Sequence, residues 1–119
     1  MGYRIRYSHL DGTLCAVVSG KSSQAVAGCI ARDIAAQAAR ESAWRVLVDL
    51  RWLEDRAGMR ALLRLPELRV AVLDLPENDP DYVFSEREDE GYFERLDAAL
   101  IWLRAERRAA PAPLAALGG

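Results

Sequence analysis

The sequence predicts an α/β domain in which an initial β-hairpin is followed by alternating strands and helices. They should form a mixed, mainly parallel sheet of about five strands with about four helices. Three observations carry this expectation. Tyr3, Ile5 and Tyr7 alternate with Arg4, Arg6 and Ser8 ahead of an Asp11-Gly12 turn. Two later runs, Val46 to Leu50 and Val70 to Leu75, are too apolar for strands with a solvated face. Between and after them, apolar residues recur at helical spacing.

The alternating first strand has an arginine-bearing outer face and suits a sheet edge, whereas Thr13 to Ser19 is continuously apolar and suits a central position. Ser22 or Ser23 can cap the next helix, expected over about 23–42, where Val26, Ile30, Ile34 and Ala38 form one row and the many alanines favour helix. After the Val46 to Leu50 strand, a short acidic turn leads to a second helix that starts near Asp55 to Gly58 and stops at Pro66. PENDP at 76–80 reads as a loop and 81–89 as a short polar helix ended by Gly91. Tyr92 and Phe93 form a brief last strand, and a final helix covers about 96–107 with Leu96, Ala99, Leu100 and Leu103 on one stripe. Residues 1–108 are expected to form a single domain, and 109–119, AAPAPLAALGG, a disordered tail.

Composition narrows the function classes. A net charge of −2, with Lys21 the only lysine and arginines interspersed with acids, argues against nucleic-acid binding, which needs a basic excess. Cys15 and Cys29 lack Cys-x-x-Cys spacing, and His9 is the only histidine, so no metal set and no cofactor are expected, and the thiols read as buried and inert. The start MGYRIRYSH contains no signal-peptide run, and no segment has the roughly 18 apolar residues of a membrane span, so a cytoplasmic location is expected.

Two motifs fail on their missing parts. Gly20-Lys21-Ser22 stands between strand and helix, but a phosphate loop needs a glycine ahead of the four residues before Gly-Lys, and that place is Cys15. Val46 to Asp49 with its following helix resembles the phosphoacceptor strand of a response-regulator receiver. That chemistry also needs an acidic pair after the first strand and a lysine after the last; Asp49 reads instead as a strand-end acid paired with an arginine.

The hairpin start, the order of elements, LEDRAG at the third strand's exit and the ending YFERLDAALIWL together resemble the STAS superfamily, in particular its SpoIIAA-like group, which includes anti-sigma factor antagonists. The resemblance spans residues 3 to about 105. In antagonists of this family the turn reads Asp-Ser-Ser/Thr-Gly, with the second hydroxyl residue phosphorylated at the helix N-terminus. Asp55 and Gly58 match that pattern. Arg56 and Ala57 depart from it, and alanine has no hydroxyl to accept a phosphoryl group.

The resemblance therefore implies a non-catalytic regulatory module that docks a protein partner around Asp55, Arg56, Ala57, Gly58 and Met59 without the covalent switch. Asp55 alone is also explained as a helix cap, and Arg56 with main-chain donors suits an anion. The alternative is a carrier for a lipid or small apolar molecule of the Sec14 type, with Trp52, Phe84 and Trp102 lining its pocket, although aromatics at such positions serve equally as core. Enzyme activity is not expected, since His9 has no nucleophilic partner in its stretch. An edge strand such as the first can also pair with its twin in a homodimer.

Overall fold

The computed structural model describes residues 2–10, 12–21, 24–54, 68–75 and 90–105 of the chain. The expected helices at 55–65 and 81–89, the PENDP loop and the tail at 109–119 lie outside the described residues.

The hairpin forms as its alternation predicts, with β1 (Tyr3–Leu10) antiparallel to β2 (Thr13–Lys21). Helix α1 (Gln24–Glu41) crosses to β3 (Arg45–Glu54), and then follow β4 (Arg69–Leu73), β5 (Glu90–Phe93) and α2 (Leu96–Arg104). The five strands make one sheet in the order β1-β2-β3-β4-β5, with β2–β3, β3–β4 and β4–β5 parallel. This sheet is better described as mixed than as mainly parallel, because the antiparallel β1–β2 ladder, with 8 residue pairs, is the longest in it. Against the expectation of about four helices, two stand among the described residues.

α1 covers one face of the sheet. Its row of Ala27, Ile30, Ile34 and Ala38 is buried against Leu14, Ala16 and Val18 of β2, Val46, Val48 and Leu50 of β3, and Val70 and Val72 of β4. Full burial of each isoleucine contributes about 1.5–3 kcal/mol. The other face holds a smaller cluster, in which α2 places Ala99 and Leu103 on Leu47, Ala71, Leu73, Phe93 and Cys15. Arg69 fastens α2 to the sheet: its guanidinium lies 3.8 Å from the Trp102 ring centroid and donates to the Trp102 carbonyl at 2.8 Å. Leu96, placed by the sequence on the apolar stripe, is 42% exposed because it opens the helix beyond that cluster.

Gly91, expected from the sequence to mark the end of the helix at 81–89, lies buried inside β5. Its reason is steric. A Cβ there would sit 2.7 Å from Phe93 Cε2 and 3.3 Å from Trp102 Cε2, so β5 must lack a side chain where those two rings meet. Gly20 is constrained differently: its φ is +102°, and a Cβ would lie 2.6 Å from the Gly2 carbonyl oxygen. Gly20 and Lys21 are thus the end of a paired strand, opposite Tyr3 of β1 and Leu53 and Glu54 of β3, with no loop that could cradle a phosphate.

β1 is clamped to α1 at both ends. Tyr3 Oη donates to Asp33 Oδ2 at 2.5 Å, and His9 at the far end bonds Glu41, which also accepts from Gln37. The Asp33 bond, with burial adding to it, pushes the Tyr3 phenol up to about 12. Because the folded value is raised above the ordinary value of 10.0, the neutral phenol contributes stability below pH ~10 that is lost as pH rises through about 12. Tyr3→Phe should therefore destabilise the protein at about pH 9, and the gap from wild type should narrow by about pH 11.5, as read from urea midpoints. A gap independent of pH would show that the hydroxyl bond contributes nothing. The same reasoning inverts for Glu41, which the His9 bond holds below the usual carboxylate range, so its contribution fades as pH falls.

Candidate functional site

β3 delivers the chain to the turn that the sequence singles out. It extends through Glu54, four residues beyond the expected Leu50, because the ladder to β2 continues past an irregularity. Val17 pairs with Asp49 and Ser19 with Trp52, so Leu50 and Arg51 together stand opposite Val18. The additional residue shifts the alternation. After Val46, Val48 and Leu50, the next core side chain is Leu53, and Trp52 is left 61% exposed.

Asp49 is nearly buried at 6% exposure and is held by Arg51 through both carboxylate oxygens, Nε to Oδ1 at 3.0 Å and Nη2 to Oδ2 at 2.9 Å. The Arg51 N–H also donates to Oδ1 at 3.0 Å. The expected Asp49–arginine pair is present, although within β3 rather than at its end. Asp49 raises the Arg51 pKa above its ordinary value, so this guanidinium stays charged beside the Trp52 ring, 5.8 Å from its centroid. The exit of β3 is therefore a rigid, hydrogen-bonded cation next to an exposed aromatic surface. The sequence predicts an arginine partner for Asp49 but not which one, and the arginine two residues on is the signal that identifies Arg51; the exposure of Trp52 follows from the strand irregularity and is not legible.

Of the residues predicted for partner or anion binding, Asp55, Arg56, Ala57, Gly58 and Met59 lie outside the described residues; β3 ends immediately before them. Of the predicted pocket lining, Phe84 also lies outside them. Trp52 belongs to neither buried cluster, while Trp102 packs on Phe93, ring centroids 5.6 Å apart, beneath Arg69. Trp52→Ala should leave stability within about 0.5 kcal/mol of wild type, since an exposed side chain has little burial to lose; a larger drop in the denaturation midpoint would contradict this placement.

Cys15 and Cys29 are free thiols. Cys15 belongs to the cluster under α2, and Cys29 is carried by α1 on the opposite face, so the sheet separates them. Burial pushes the Cys15 thiol up, which keeps it protonated and unreactive at neutral pH. Cys29 is only half-buried, against the expectation that both thiols are buried, because it lies off the row that α1 presents to the sheet. His9, for which the sequence offers no partner, bonds Glu41, 32 residues away on α1. Asp74 at the end of β4 is fully buried; its Oδ1 accepts the Leu75 N–H at 2.8 Å, and its own N–H donates to the Phe93 carbonyl at 2.9 Å. Among the described residues, no three or more His, Cys, Asp or Glu side chains group to hold a metal, and no helix is long and apolar enough to cross a membrane.

No protein-family model matches the chain, and neither does any curated protein. Among solved structures, the chain is similar to the crystal structure of an anti-sigma factor antagonist from Mycobacterium paratuberculosis, with a TM-score of 0.55 and 20% identity over 87% of this chain and 95% of that one. The fold is STAS-like. The β3 exit, with its Arg51–Asp49 clamp and exposed Trp52, immediately precedes residues 55–59 in the chain.

Proposed function

We propose that this chain is a non-catalytic, STAS-like regulatory module that works by docking a protein partner through the turn Asp55–Met59 and the adjoining end of β3. The observation that carries the reading is the fold likeness to an anti-sigma factor antagonist, a protein that by its name acts on another protein. Ala57 stands where antagonists of this family place the phosphorylated hydroxyl, so docking here is controlled by partner concentration or by a bound anion rather than by a covalent phosphate. Trp52 favours a protein surface over a ligand pocket: it is exposed beside a fixed guanidinium, and tryptophan and arginine are the residues most often found at the energetic centre of interfaces.

The test is affinity capture from cells of the native host, comparing wild type with the double variant Arg56→Glu, Met59→Asp. The expected result is a protein retained at about stoichiometric amounts by wild type and lost by the variant, while the intact mass of the recovered chain shows no added phosphate. Identical recovery by both, or none above bare resin from either, counts against docking at this turn.

A further inference from the structure

β1 is one edge of the sheet, and among the described residues no strand pairs with its outer side. The hydrogen-bond phase shows which residues serve that edge. The Lys21 N–H donates to the Gly2 carbonyl at 3.0 Å, which makes Gly2–Lys21 a hydrogen-bonded pair in the β1–β2 register. Such pairs alternate along an antiparallel ladder, so Arg4, Arg6, Ser8 and Leu10 turn their main-chain groups toward β2, and Tyr3, Ile5, Tyr7 and His9 turn theirs outward. The side chains alternate as well. Tyr3, Ile5 and Tyr7 are half-buried against the α1-side core, while Arg4 and Arg6 are exposed on the opposite face. The clamps from Tyr3 to Asp33 and from His9 to Glu41 hold this edge in place before anything binds.

We propose that the β1 edge is a β-augmentation site for an extended acidic segment of a partner protein, one in which acidic residues alternate with apolar ones. The apolar side chains of such a strand extend the row of Tyr3, Ile5 and Tyr7, and its carboxylates fall beside Arg4 and Arg6. Charge selects this occupant. The hairpin carries Arg4, Arg6 and Lys21 against Asp11 alone, in a chain of net charge −2, so it is locally basic on an otherwise acidic protein. The same charges oppose a second copy. Antiparallel self-pairing centred on Arg6 sets Arg6 against Arg6, and pairing centred on Ile5 sets Arg4 against Arg6. The proposal rests on the β1 edge alone and does not depend on how residues 55–59 act.

The test titrates the full isotope-labelled chain with a synthetic peptide of alternating glutamate and valine, 8 residues long like β1. A control peptide of the same composition has its glutamates in one block and its valines in the other. The expected result is saturable shifts, with slowed amide exchange, at Tyr3, Ile5, Tyr7 and His9 for the alternating peptide only. Arg4→Glu, Arg6→Glu should weaken binding at least about tenfold and bind a lysine–valine peptide instead, since each cross-strand charge pair changes sign. If that variant does not fold, Arg4→Gln, Arg6→Gln should still lower affinity and flatten its salt dependence. Equal binding of both peptides, shifts centred away from β1, or no binding at millimolar peptide overturns the proposal. So does a dimer in sedimentation equilibrium that Arg4→Glu, Arg6→Glu fails to alter, because the edge would then be filled by a second copy without regard to charge.

Discussion

Ile34→Ala is expected to lower the unfolding free energy by about 2–5 kcal/mol with little change in the denaturant slope. Ile34 is fully buried at the centre of the α1 row, enclosed by strands β2, β3 and β4, and the neighbouring small residues Ala27, Ala31 and Ala38 are too short to refill the space. The loss combines the transfer energy of the removed methylene and methyl groups with the cavity they leave. In a domain of this size the melting temperature should fall by about 10 °C or more. Ile101→Ala is the matched control, since Ile101 is 64% exposed on α2 and its truncation should change stability by no more than about 0.5 kcal/mol. Equal effects of the two variants would mean that α1 is not seated on the sheet as described.

Gly91→Val is expected to destabilise the protein by about 1–3 kcal/mol through overpacking. Relief of the Cβ contacts with Phe93 and Trp102 requires moving two buried or half-buried rings that already touch, one of which lies under the Arg69 guanidinium. The strain should appear as loosening of α2, visible in faster amide exchange over Leu96–Arg104 and a changed tryptophan emission, before it appears in α1. Gly91→Ala should show the same pattern at smaller amplitude. A valine variant as stable as wild type would contradict the buried placement of β5.

The parts of the fold that were legible in the sequence are those set by short-range periodicity. The hairpin follows from strict alternation around Asp11-Gly12, and α1 follows from the row of Val26, Ile30, Ile34 and Ala38. The sequence ends β3 early because the irregularity at Leu50 and Arg51 breaks the period-2 pattern just ahead of the acidic pair Glu54-Asp55, which reads as a turn. The place of Gly91 inside β5 is not legible, because a glycine required by two aromatic rings and a glycine that ends a helix are identical in sequence. The pairs Tyr3–Asp33 and His9–Glu41 span 30 and 32 residues, and no local pattern links them. The candidate site was legible in another sense. Asp55, Ala57 and Gly58 stand out only through the resemblance of LEDRAG to the turn of STAS-family antagonists, and no composition or periodicity marks them.

Native mass spectrometry of the full chain, purified gently from its own host, tests the central claim most directly. A docking module without a covalent switch predicts a species in which this chain retains a second polypeptide, and a released chain whose mass carries neither phosphate nor lipid. A chain that comes through alone with a lipid-sized adduct, or that carries a phosphate, would contradict the account.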